Sequence, residues 1–119
     1  MLPVAFATVN LLSFIDQQDI KIDNLKLVKI DAEGYDKNIL RSIAPLITKY
    51  KPIIITEIYD GLYDVEIQEL LDIIHNMNYK AYDENANKLD LNNLGKEITS
   101  LNDLEINSGH NLVCIYDPK

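Results

Sequence analysis

Residues 51–58 read Lys51-Pro52-Ile53-Ile54-Ile55-Thr56-Glu57-Ile58, and this stretch decides the fold class. Its consecutive Ile and Thr residues show no polar-apolar alternation. That predicts a strand over 52–58 buried on both faces, as strands of a parallel sheet are. Glu57 interrupts the apolar run. A carboxylate there is costly unless it is paired, faces a site, or lies at an edge open to solvent.

Working outward, residues 25–31 (Leu-Lys-Leu-Val-Lys-Ile-Asp) read as a second strand. Between the two, Ile39, Leu40, Ile43 and Leu46 recur at helical spacing. Pro45 predicts a split into two short helices, because it would remove a hydrogen bond from one long helix. Downstream, Val65, Ile67, Leu70, Leu71, Ile74 and Met77 mark an amphipathic helix. Strands follow at 79–83 and 111–116. Upstream, 4–8 reads as a short strand, with Asn10 capping a helix over 11–18. The connection 84–110 contains an Asn-rich stretch and reads as a long loop or lid within one domain of residues 1–119.

Strand–helix alternation implies parallel strands joined by right-handed crossovers. Ligands of such sheets bind beyond the C-terminal strand ends. Three loops qualify: 31–36, 57–64 and, if the last strand runs antiparallel, 84–110.

Composition narrows the partners. The chain has 119 residues, 47% hydrophobic, with a net charge of -8. Acidity and scattered basic residues argue against nucleic acid, whose phosphates need clustered Lys and Arg. Residues 1–9 are apolar, but too short and too free of basic residues for a signal peptide or membrane span. Cys114 is the lone cysteine, so no disulfide forms within the chain, which fits a cytoplasmic setting. It reads as a small packing hydrophobe. His75 reads as solvated, and Tyr50, Tyr79, Tyr82 and Tyr116 as half-buried rings with polar tips.

The first loop offers the densest chemistry: Lys29-Ile30-Asp31-Ala32-Glu33-Gly34-Tyr35. Gly34 permits a positive φ or a close backbone approach by a ligand. Asp31 and Glu33 could accept hydroxyl hydrogen bonds, act as a base or hold a cation; equally, they could only cap the next helix and meet its dipole. Glu57 ends its strand as Asp31 ends its own, so the two are expected to converge. His110 precedes the last strand and is either an exposed loop residue or an imidazole base at the same mouth.

Four segments in order resemble FkbM-type S-adenosylmethionine-dependent methyltransferases. They are Thr8-Val9-Asn10, Leu27-Val28-Lys29-Ile30-Asp31-Ala32-Glu33-Gly34, Ile39-Leu40-Arg41-Ser42-Ile43-Ala44 and Lys51-Pro52-Ile53-Ile54-Ile55-Thr56-Glu57. Asn10 replaces the usual Asp. The resemblance implies an α/β fold: part of a class I, Rossmann-like methyltransferase sheet, mostly parallel, with helices on both faces. Its antiparallel last strand, 111–116, would insert between its neighbours. Residues 25–31 would be the fourth strand of such a sheet and 52–58 the fifth.

The resemblance further implies S-adenosylmethionine as cofactor of the complete domain, with Asp31 and Gly34 touching it. It implies transfer of a methyl group to a hydroxyl of a small molecule or glycan, with Asp31, Glu33, Glu57 or His110 as proton acceptor. The family's glycine-rich turn has no counterpart, since the glycines are Gly34, Gly61, Gly95 and Gly109. The chain is therefore expected to lack the cofactor half and to be inactive alone, as a truncated or split domain. The strand at 25–31 would then either have an open edge that recruits other chains or be covered by residues 4–8. Two rival readings are a non-catalytic remnant or partner subunit, and a haloacid-dehalogenase-type phosphatase. Against the phosphatase, Glu33 stands where its second Asp belongs and Tyr35 where its Thr does.

Overall fold

A computed structural model describes residues 4–6, 25–32, 34–58, 61–83, 94–104 and 110–118. Six strands form one mixed sheet: β1 (Val4–Phe6), β2 (Leu27–Lys29), β3 (Ile53–Ile58), β4 (Tyr79–Asp83), β5 (Glu97–Ile98) and β6 (His110–Tyr116). Three helices connect them: α1 (Asp36–Ser42), α2 (Ala44–Tyr50) and α3 (Asp64–Asn76). The sheet order is β1-β2-β3-β6-β4-β5. β1 pairs parallel with β2 and β2 parallel with β3, whereas β6 runs antiparallel between β3 and β4.

Two expectations about the sheet need correction. It is less parallel than expected, because β5 adds a second antiparallel strand, pairing Ala81 with Ile98 and Tyr82 with Glu97. The segment 84–110 is thus no plain loop. It supplies β5 and a 3₁₀ turn at Leu101–Asp103, where the Asp103 carboxylate accepts from the N–H groups of Thr99 and Ser100 and from the Thr99 hydroxyl. The edge of β2 is covered by β1, the second of the two alternatives expected from the sequence.

The helices also differ from expectation. The steps from β2 to β3 and from β3 to β4 cross the sheet in the same direction. Right-handed crossovers then place α1, α2 and α3 on one face. Ion pairs between α1 and α3 agree: Lys37 lies 3.0 Å from Glu69, and Arg41 lies 3.5 Å from the same carboxylate. The neighbouring ammonium of Lys37 holds the Glu69 carboxyl below its ordinary range. Among the described residues no helix covers the other face.

This asymmetry explains the burial of β3. Ile54, Thr56 and Ile58 are buried beneath the helices, while Ile53, Ile55 and Glu57 alternate with them on the half-buried face. Burial on both faces was expected from the Ile run; the strand has one fully dry face. On the helical side, Val28, Leu40, Ile54, Leu71, Ile74 and Leu112 belong to one core.

The helix break falls where Pro45 predicted it. Ile43 separates α1 from α2, and Pro45 occupies the first turn of α2, where a missing N–H costs nothing. Lys51 then takes a left-handed conformation (φ 52°) and caps α2 through its N–H to the Ile47 carbonyl. The helix proposed over 11–18 lies outside the described residues. Of the four tyrosines expected to be half-buried, Tyr79 is instead buried and donates its hydroxyl proton to the Pro52 carbonyl at 2.6 Å.

Cys114 lies in β6 opposite Ile54 and Ala81 and is wholly buried, which pushes its thiol pKa up. A thiol that is both neutral and inaccessible reacts slowly. Alkylation of the native chain at pH 8 is therefore expected to follow global unfolding, with rates at least a hundredfold below those in denaturant. Comparable rates in the two conditions would mean that β6 opens locally.

Candidate functional site

β1, β2 and β3 all end at the same edge of the sheet, and β6 starts there, since Ile58 pairs with His110. The antiparallel β6 therefore meets the condition set for the third loop. The segment that leaves β4 at Asp83 returns to this edge at His110.

The loop after β2 is a tight turn. The Tyr35 N–H reaches the Ala32 carbonyl at 3.2 Å, and Gly34 has φ 103°, a conformation that side chains disfavour. Asp31 is exposed, two residues beyond the end of β2. The strand register pairs Lys29 with Ile55. Beyond that last pair the Ile30 N–H still reaches the Ile55 carbonyl at 2.8 Å, and Asp31 and Glu57 each follow the Lys29–Ile55 pair by two residues in their own segments. Glu57 is half-buried and belongs, with Ile53 and Ile55, to the face away from the helices. Glu33 lies outside the described residues. His110 is placed by its backbone at the start of β6, and its side chain is outside the description.

The residue missed by sequence reasoning is Asp36, the first residue of α1. It is 2% exposed. One carboxylate oxygen accepts from the Ala32 N–H at 3.1 Å, and the other accepts from the Thr56 hydroxyl at 2.6 Å and the Glu57 N–H at 3.0 Å. A buried carboxylate is tolerable when it is satisfied in this way. Thr56, itself buried, looked like one more residue of the apolar run but is Asp36's partner. The available signal was an acid opening a helix one residue after Gly34-Tyr35, paired with the single hydroxyl of β3.

On the helical side of this edge lies an open groove of about 540 Å³, lined by Gly34, Tyr35, Lys37, Arg41, Gly61 and Glu69 among others. It joins the first and second loops, although neither Asp31 nor Glu57 lines it. Among the described residues, no group of three or more His, Cys, Asp or Glu side chains comes together to hold a metal ion. No helix among them is long and apolar enough to cross a membrane.

A sheet whose parallel strands are joined by helices is of the broad α/β class, in which ligands bind beyond the C-terminal strand ends. The particular family follows from comparison. The methyltransferase FkbM domain matches residues 4–81, well over half of the chain, and the chain belongs to that family. Among curated proteins and solved structures, none matches it significantly.

Proposed function

We propose that this chain forms the acceptor side of an S-adenosylmethionine-dependent O-methyltransferase, with Asp31 and Glu57 at the reacting edge. The observation that carries the proposal is the parallel pairing of β2 with β3, which brings the strand end preceding Asp31 and the strand end containing Glu57 to the same edge of the sheet. The position of β6 between β3 and β4 supports it, because that is the order a partial class I methyltransferase sheet requires.

S-adenosylmethionine supplies an activated methyl group, so the protein mainly has to align the acceptor. A hydroxyl becomes a better nucleophile as its proton is withdrawn. A carboxylate oxygen of Asp31 or Glu57 accepts that hydrogen bond and then the proton. Glu33 and His110 are the alternative acceptors. The Gly34 turn lets backbone approach the cofactor from one side. The glycine-rich second side is not encoded in these 119 residues, so the chain alone should be inactive. The acceptor is a small molecule or glycan with a free hydroxyl.

The test joins the chain to the cofactor-binding half of an FkbM domain and follows S-adenosylhomocysteine release with hydroxylated acceptors. Release should depend on the acceptor. Asp31→Asn or Glu57→Gln should lower kcat by about 10²-fold, within the range for loss of a general base. Full activity in both variants would remove the carboxylates from the mechanism. Release from the chain alone at the same rate would refute the two-sided site.

A further inference from the structure

We infer that Asp36 is a positioning residue that fixes the spacing between Asp31 and Glu57. The inference rests on the reading of those two carboxylates as the reacting edge.

The argument begins with the way Asp36 divides its bonds. One oxygen holds the loop after β2, through the Ala32 N–H at 3.1 Å. That N–H belongs to the peptide bond joining Asp31 to Ala32. The other oxygen holds the end of β3, through the Thr56 hydroxyl and the Glu57 N–H. Each candidate carboxylate is therefore anchored within one peptide unit by the same side chain. The last backbone rung from β2 to β3 in this region is the Ile30 N–H to the Ile55 carbonyl at 2.8 Å. Just beyond it, where β2 turns away at Asp31, Asp36 ties its loop back to β3 and carries the alignment past the end of β2.

The charge type matters as well as the length. Three donors converge on Asp36, and an ionised carboxylate offers only acceptors. An asparagine offers one acceptor oxygen and an NH₂. If its NH₂ faces Ala32, two N–H groups oppose and the loop is released. If its NH₂ faces β3, the Thr56 hydroxyl can turn to accept, but the Glu57 N–H loses its partner. Either orientation frees one of the two aligned residues, while the sheet register from Leu27 to Lys29 is left to the backbone.

The test uses the 119-residue chain and needs no methyl transfer, so it stands or falls separately from the proposed reaction. Two readouts compare Asp36→Asn with the unmodified chain: amide hydrogen exchange, and the rate of disulfide formation in an Asp31→Cys/Glu57→Cys background. Exchange at Ala32 or Glu57 should accelerate at least tenfold while Ile54 and Cys114 keep their protection, and the cross-linking rate should fall at least tenfold. Thr56→Val should move both readouts in the same direction but less, and Thr56→Ser should restore them. This pair keeps the test decisive if Asp36→Asn fails to fold. Unchanged cross-linking in Asp36→Asn and Thr56→Val, whether the amides stay protected or all lose protection together, would overturn the positioning role.

Discussion

Ile54→Ala is expected to cost about 3–4 kcal/mol, the range for truncating a large buried aliphatic side chain whose surroundings cannot collapse. Ile54 is fully buried at the centre of β3, level with Val28 on one side and Cys114 on the other, beneath the helices. A domain of this kind has roughly 5–15 kcal/mol of stability to lose. With a urea slope of about 1–3 kcal/mol/M, the unfolding midpoint should drop by roughly 1–4 M. Ile55→Ala, one residue along on the half-buried face, should cost less than half as much. Urea titration of the two variants checks this directly. Equal losses would show that the second face of β3 is as dry as the first, contrary to the burial pattern.

That comparison also marks how far the sequence could be read. Elements whose own pattern specifies them were legible. Strand 79–83 coincides with β4, the amphipathic spacing from Val65 gave α3, and Pro45 located the break between α1 and α2. The insertion of β6 followed from the resemblance, and the topology agrees with it. Features set by one element's placement against another were not legible. The Ile run of β3 says that the strand is apolar, but not that helices cover only one of its faces. β5 is two residues long and gains its place only by pairing with Ala81 and Tyr82.

The candidate site divides in the same way. Asp31, Gly34 and Glu57 were visible because each breaks its local pattern: an acid at a strand end, a glycine in a turn, a charge in an Ile run. Asp36 was not, because an acid in the first turn of a helix has an ordinary explanation in the helix dipole. Its partners Thr56 and Glu57 lie twenty or more residues away, and only the fold brings them together.

The second large effect concerns the cofactor. A small ligand binds tightly when a pocket buries most of its surface. In the proposed function the Gly34 turn and the ends of β2 and β3 would furnish one wall. The glycines of the sequence, Gly34, Gly61, Gly95 and Gly109, form no glycine-rich turn that could furnish the second. Losing even about 4 kcal/mol of contacts weakens binding roughly a thousandfold. Titration of the ¹⁵N-labelled chain with S-adenosylhomocysteine reports both affinity and location. The predicted result is a Kd well above ~10 μM, with shifts confined to the amides of Ile30, Asp31, Gly34 and Glu57. A Kd at or below ~10 μM, or shifts centred on His75, Lys80, Thr99 and Asp117 in the groove at the opposite edge of the sheet, would contradict it.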